Sequence, residues 1–228
     1  MLIWAIYKNA ACLFIIGAFL YFCSRLIKKQ ERVNKRCESQ MMRNTINSLK
    51  AKSNMSNSSI NELFAHSSLL ELPKKHILTS SFQNDKNFYF IEKGIARSYC
   101  VINDKELTSW FSTEGDIVFS TNNFYGNQQG YEYEVVQLLE NTVLYAVPIK
   151  DLEKLYQTNI EIANWSRILH QEAFIMNEKR LISRLYKSAE ERYIELLQTR
   201  PDLFQRVNLG YIASFLGICY VVPFEEQD

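Results

Sequence analysis

The side chains best suited to hold a metal or attack a substrate are the five cysteines and three histidines, and their spacing equips them for neither task. Cys12, Cys23, Cys37, Cys100 and Cys219 form no C-x-x-C pair, and His66, His76 and His170 stand far from them and from one another. A structural zinc site draws four such ligands together, usually from closely spaced pairs, so neither a metal nor a cofactor is expected. Cys12 and Cys23 lie in the most apolar stretch of the chain, where a free thiol behaves as a small hydrophobe. The odd count without a pairing pattern argues against a disulfide framework. No nucleophile–base pair, paired-carboxylate motif or phosphate loop stands at working spacing. The chemistry to expect is binding, not catalysis.

Any such binding needs a scaffold, and 228 residues with 47% apolar and 22% charged side chains suit one large domain or two small ones. Only seven glycines and four prolines are present, which excludes collagen-like and low-complexity architectures and leaves little for long linkers. Lys plus Arg (26) nearly cancels Asp plus Glu (25), so an electrostatic function has to be local.

The N-terminus differs from the rest. Leu2 to Cys23 is apolar apart from Lys8 and Asn9, and Arg25, Lys28, Lys29, Arg32, Lys35 and Arg36 follow with only Glu31 as counter-charge. A bilayer span needs about 20 apolar residues, and cations after it mark a cytoplasmic flank. Residues 1–24 therefore read as a transmembrane anchor, or else as upstream sequence ahead of a start at Met41 or Met42. The protein is expected in the cytoplasm, or facing it from the membrane if the anchor is genuine. Residues 25–57, basic and then rich in Ser, Asn and Lys, read as a solvated linker.

From residue 58 the chain should be ordered. Ser59-Ile60-Asn61-Glu62 matches a capping box, with Ile60, Leu63 and Phe64 at helical spacing before Pro73. Short β-branched and aromatic runs follow: Phe88 to Ile91, Ile95 to Ile102, Leu107 to Phe111, Glu134 to Leu139 and Thr142 to Val147. Turns at Glu92-Lys93-Gly94 and Asn103-Asp104-Lys105 separate the earlier ones, so residues 58–150 predict a compact antiparallel barrel or roll. Residues 151–187 turn helical, with Ile162, Trp165, Ile168, Leu169, Ala173, Met176, Arg180 and Leu185 close to three- and four-residue steps. A helix from Asn159 to Tyr186 is longer than a roll needs for cover, and Trp165, Ile168, Leu169 and Met176 are expected at a dimer seam. Ser188 with Glu191 forms a second capping box and starts another helix toward Pro201. The fold class is α+β.

A roll, a long helix and a small helical unit in that order resemble the Crp/Fnr family of bacterial transcription regulators, in which a cyclic-nucleotide-binding-type roll precedes a winged helix-turn-helix. FYFIEKGIARSY (Phe88 to Tyr99), KELTSWFSTEGDIV (Lys105 to Val118) and SAEERYIELLQTRPDLFQRVNLGYIASFLGI (Ser188 to Ile218) carry the likeness. It implies a ligand pocket near Gly115, Asp116, Tyr125, Tyr131 and Tyr133, and a DNA-binding element that begins with Asn208, Leu209, Tyr211 and Ser214. Two departures stand against the family pattern. The stretch FSTNNFYGNQQGYEYEVVQ has no arginine for a cyclic-nucleotide phosphate and carries Glu132 and Glu134 instead, so cyclic AMP should bind weakly or not at all. After Ile218 the recognition helix is missing, because Pro223 breaks a helix and Glu225, Glu226 and Asp228 repel phosphate. Residues 188–228 thus read as a partial helix-turn-helix. Codons chosen for Ile218 to Asp228 and shifted by one base encode Ser-Val-Thr-Leu-Ser-Arg-Leu-Arg-Ser-Lys, which looks like the missing helix and points to a truncated or frameshifted gene. Two functions follow: a homodimeric DNA-binding regulator answering to an unknown small-molecule effector, or a sensory and dimerisation module without DNA contact, tethered by residues 2–23.

Overall fold

The computed structural model describes residues 42–80, 86–119 and 134–218. The chain divides into two units, residues 1–43 and 44–228, and the architecture below is that of the second. The predicted span over residues 2–23 lies outside the described residues, among which no helix is long and apolar enough to cross a membrane.

Two helices open the fold, α1 (Arg43–Ser53) and α2 (Asn57–Leu63). Over residues 43–53 the first stands in place of the solvated linker expected there, and residues 25–41 lie outside the described residues. Thr45 and Leu49 of α1 are buried, and its first turn is fixed from a distance. Glu92 accepts hydrogen bonds from Asn44 N (2.9 Å), Thr45 N (3.0 Å) and Thr45 Oγ1 (2.9 Å). A carboxylate there satisfies amides that have no partner inside the helix and complements its dipole. A polar composition concealed the helix because its cap comes from a residue 47 positions away. In α2 the cap is Ser56, whose hydroxyl accepts from Ser59 N, three residues before the box read at Ser59.

Eight strands follow among the described residues: β1 (Ser68–Leu72), β2 (Ile77–Ser80), β3 (Asn87–Lys93), β4 (Ala96–Ile102), β5 (Lys105–Ser112), β6 (Ile117–Val118), β7 (Glu134–Leu138) and β8 (Thr142–Pro148). They pair antiparallel into two four-stranded sheets, ordered β1-β8-β3-β6 and β2-β7-β4-β5. This is the predicted roll. Strand β3 is buried on both faces. Tyr89 and Ile91 join the interior with Leu138 and Leu144, while Phe88 and Phe90 meet Trp165 with ring centroids 6.1 and 5.6 Å away. A strand covered on both sides reads as a continuous apolar run, which is why FYFI is unbroken. At the turn into β4, Gly94 has φ +114°, and a Cβ there would collide with Thr142. The β4–β5 turn carries Asn103 and Asp104 at φ 51° and 61°, the left-handed pair that a two-residue hairpin requires and Asn and Asp tolerate.

Helix α3 (Ile149–Thr158) leads to α4 (Ile160–Tyr186), 27 residues long and capped by the Asn159 side chain, which accepts from Glu161 N and Ile162 N. Ser188 and Glu191 make the predicted capping box at the start of α5 (Ala189–Thr199). Then come α6 (Pro201–Arg206) and α7 (Leu209–Leu216). Asn208 caps α7, and Gly217 ends it at φ +67°, with Ile218 N donating to Ala213 O at 2.9 Å. A second core joins these last helices to the roll: Ile95, Phe111 and Leu139 pack with Leu203, Val207, Ile212 and Leu216.

Candidate functional site

A cavity of about 900 Å³ lies between the open side of the roll, α1 and α4. Its walls are Leu49 of α1, Phe90 and Trp110 of the strands, and Trp165, Leu169 and Met176 of α4. Lys52 of α1 meets Glu172 of α4 at 2.7 Å, so the two helices are tied beside the cavity. Glu134 lines it and accepts from Ser98 Oγ at 3.0 Å.

The five pocket residues expected from the sequence fare differently. Gly115 and Asp116 line the cavity but shape a turn there. Gly115 takes φ +83°, with Asn44 O 3.3 Å from where a Cβ would sit. The Asp116 carboxylate accepts from Thr113 N (2.9 Å) and Thr113 Oγ1 (3.2 Å). Tyr125, Tyr131 and Tyr133 fall outside the described residues, as does Glu132.

The geometry of α4 divides the four residues expected at the seam. Positions 165, 169, 173, 176, 180 and 184 recur at three- and four-residue steps and share one helix face, and all six line the cavity. Trp165, 2% exposed, belongs to the core of its own protomer, while Leu169 and Met176 line the cavity and Met176 remains 53% exposed. Of the four predicted seam residues only Ile168 lies on the other face. That face carries Phe174, Ile175, Ile182 and Leu185, of which Phe174 and Leu185 are 69% and 78% exposed. A helix with two apolar faces mixes two periodic signals, and sequence spacing alone merged them.

The residues expected to open a DNA-binding element are docked on the roll. Asn208 serves as the α7 cap, and Leu209 is 56% exposed. Ser214 Oγ accepts from Thr108 N (2.9 Å) and donates to Glu106 O (2.8 Å). Tyr211 covers the Arg97 guanidinium at 3.7 Å, with Tyr99 4.3 Å from it. Arg97 is fully buried. Its Nε donates to Thr108 Oγ1, its Nη1 pairs with Glu106 at 2.7 Å, and its Nη2 has no hydrogen-bond partner among the described residues. Strand β5 is a sheet edge, and Ser214 satisfies backbone groups that an edge leaves open.

Arginines hold the far end of α7. Arg180 Nη1 donates to Ser109 O. Its Nη2 donates to Thr108 O (3.1 Å) and Phe215 O (2.9 Å). Arg184 Nη2 also reaches Phe215 O at 2.9 Å, and Arg192 Nε reaches Leu216 O at 3.1 Å. Burial, with the charge of Arg184 beside it, lowers the Arg180 guanidinium to about 10. Arg206 completes the docking by bridging Glu114 (2.8 Å) and Glu140 (2.7 Å). Burial works to raise the Glu114 carboxyl, but hydrogen bonds from Arg206 and from Gly94 N prevail and hold it at about 2. The sequence carried a signal for two of these residues. Arg97 is the lone charge in the strand run Ile95 to Ile102, and Arg180 falls in register with the apolar positions of α4.

Among the described residues no group of three His, Cys, Asp or Glu side chains could hold a metal ion. Cys100 is a free thiol, partly buried.

No protein-family model matches the chain, and no curated protein sequence does. Solved structures do. A protein assigned to the Crp/Fnr family of transcriptional regulators, from Eubacterium rectale, superposes with a TM-score of 0.59 at 13% identity, over 73% of this chain and 79% of that one. The chain thus has the fold of Crp/Fnr regulators. The c-di-GMP-responsive global regulator CLP of Xanthomonas campestris gives 0.57 at 15% identity, over 72% and 86%. A CooA mutant from Carboxydothermus hydrogenoformans gives 0.55 at 20% identity, over 72% and 75%.

Proposed function

We propose that this protein is a regulator of the Crp/Fnr type. Its cavity takes a small-molecule effector, and the outward face of α4 joins a second copy. The observation that carries the reading is the continuity of α4, which lines the cavity from Trp165 to Arg184 and grips α7 at Arg180 and Arg184. A change at the cavity wall is therefore felt by the helix that opens the DNA-binding unit. For the homodimer the support is a heptad step, Ile168, Ile175 and Ile182, flanked by Phe174, Leu181 and Leu185 on the exposed face. Such a repeat pairs two helices along one seam. Cyclic AMP is a poor effector for this cavity, because residues 119–137 bring no arginine to hold its phosphate.

For DNA, α7 supplies only the first helix of a helix-turn-helix, which crosses the backbone while the second reads bases. Residues 219–228 bring Pro223, Glu225, Glu226 and Asp228 in place of cations. With these residues after α7 the segment offers no cation to phosphate, and a version carrying Ser-Val-Thr-Leu-Ser-Arg-Leu-Arg-Ser-Lys after Ile218 gains such contacts. The second reading, a sensory dimer without DNA contact, is favoured by Tyr211 and Ser214, whose side chains are engaged by the roll. Mobility shift of both versions on the promoter region beside their own gene, and on scrambled duplex, separates the two. Binding by the repaired chain alone supports the regulator, while sequence-specific binding by the chain as it stands overturns the argument from residues 219–228.

A further inference from the structure

On the cavity-facing side of α4, residues 169, 173 and 176 are Leu, Ala and Met, and the next two positions on that face are Arg180 and Arg184. The lining therefore changes from apolar to cationic within one turn. Arg180 lies fifteen positions beyond Trp165, roughly 22 Å along the helix axis, so the cations stand at the opposite end of the cavity from the buried tryptophan.

Arg180 is partly buried and Arg184 exposed, and neither has a carboxylate beside it among the described residues. Among the described residues the cavity also holds Lys52, Glu172, Asp116, Glu134, His170 and Arg200. Lys52 pairs with Glu172, Arg200 with Asp202, Asp116 with its own turn and Glu134 with Ser98. No described carboxylate pairs with Arg180 or Arg184. Their acceptors are main-chain carbonyls, and both guanidiniums share Phe215 O. A guanidinium has five N–H donors. Arg180 uses three of them and Arg184 one, so donors remain for an incoming anion. The mutual repulsion of the pair, part of what lowers the Arg180 guanidinium, is relieved by the same event.

We infer that the cavity selects an amphipathic organic anion, with its apolar body against Leu169, Ala173, Met176 and Trp110 and its acidic head on Arg180 and Arg184. This rests on the reading of the cavity as an effector site and adds the class of effector. The head is held by the side chains that hold the C-terminal end of α7, so the ligand charge also tightens α7 on the roll.

The test uses the full chain and two fluorescent probes with the same aromatic body, 8-anilino-1-naphthalenesulfonate and the uncharged N-phenyl-1-naphthylamine. The sulfonate probe should bind about tenfold more tightly or better, as charge-assisted pairing implies. The preference should vanish in Arg180→Gln/Arg184→Gln while the neutral probe still binds, and Ala173→Phe, which narrows the cavity, should weaken both probes. Amide exchange over Leu209–Leu216 should slow when the sulfonate probe saturates. Should Arg180→Gln fail to fold, Arg184→Gln alone, which gives up one hydrogen bond, still has to reduce the preference. Equal affinities, or a preference untouched by both arginine variants, overturn the anion subsite and leave the cavity standing. Binding of both probes undiminished in Ala173→Phe overturns the cavity reading itself, and unchanged exchange in α7 overturns the tightening.

Discussion

The two faces of α4 have the same kinds of side chain and opposite fates. The inward face places Trp165 against Phe88 and Phe90 and carries Leu169, Met176, Arg180 and Arg184 along the cavity. The outward face leaves Phe174 and Leu185 in solvent. Apolar spacing shows that a helix has something to bury, and not whether the partner is its own protomer or another copy. Composition does not separate the faces either, since each has large hydrophobic groups. What separates them is β3, a strand with Phe88 and Phe90 directed out of the roll interior to meet Trp165.

That difference can be broken from the inward side first, where the effect is largest. Trp165→Ala removes a fully buried ring in contact with two phenylalanines, and large-to-small changes of this kind cost about 3–5 kcal/mol. Urea unfolding of the variant should show that loss. A loss under about 1 kcal/mol would mean that Trp165 belongs to the seam after all.

Changes on the outward face should leave the protomer intact and alter its mass. Phe174→Glu/Leu185→Glu removes two large apolar groups from each side of the proposed seam, each worth about 1.5–3 kcal/mol when buried. Light scattering should therefore show the dimer weakened by about 100-fold or more, with an unchanged circular dichroism spectrum. A dimer of undiminished strength would place the interface elsewhere.

Much of the fold was readable before the structure because the signals were local. The Ser188–Glu191 box, the Asn103-Asp104 turn and the Asn159 start of α4 depend on residues within four positions of each other, and each stands where expected. The failures are non-local. Helix α1 depends on Glu92, β1 was absorbed into the helix before it, and the docking of α7 depends on Arg97 and Arg180 from elsewhere in the chain. The cavity was legible only at Gly115 and Asp116, since its other walls come from elements whose packing no spacing encodes.

The inward side extends beyond α4 to the helical unit, and pH reaches it through Glu114. The unfolded carboxyl titrates near 4.5 and the folded one at about 2. A depressed acid contributes stability that is present above 4.5 and lost as pH falls toward 2. The contribution is small, about 1 kcal/mol, because the pair with Arg206 is partly solvated. Stability measured from pH 6 to pH 2 should fall less steeply in Glu114→Gln than in the parent protein, and equal slopes would remove Glu114 from the docking.

The smallest effect tests whether α7 is held by its stack on Arg97 or by its apolar underside. Tyr211→Leu keeps apolar bulk over the guanidinium but removes the ring face. A cation–π contact is worth about 0.5–1 kcal/mol at exposed sites and more when desolvated. Arg97 is fully buried here, with Nη2 unpartnered among the described residues, so the loss should reach about 1 kcal/mol. It should appear as faster amide exchange over Leu209–Leu216, with the roll strands and α4 unaffected. Exchange unchanged in α7 would assign its position to Ile212 and Leu216, whose burial against Phe111 and Leu139 the substitution does not touch. Faster exchange that spreads into β4 would mean instead that Tyr211 is needed to keep the buried charge of Arg97 in place. The link between α7 and the roll would then run through that one side chain, and the inward grip of α4 on Phe215 O would be secondary to it.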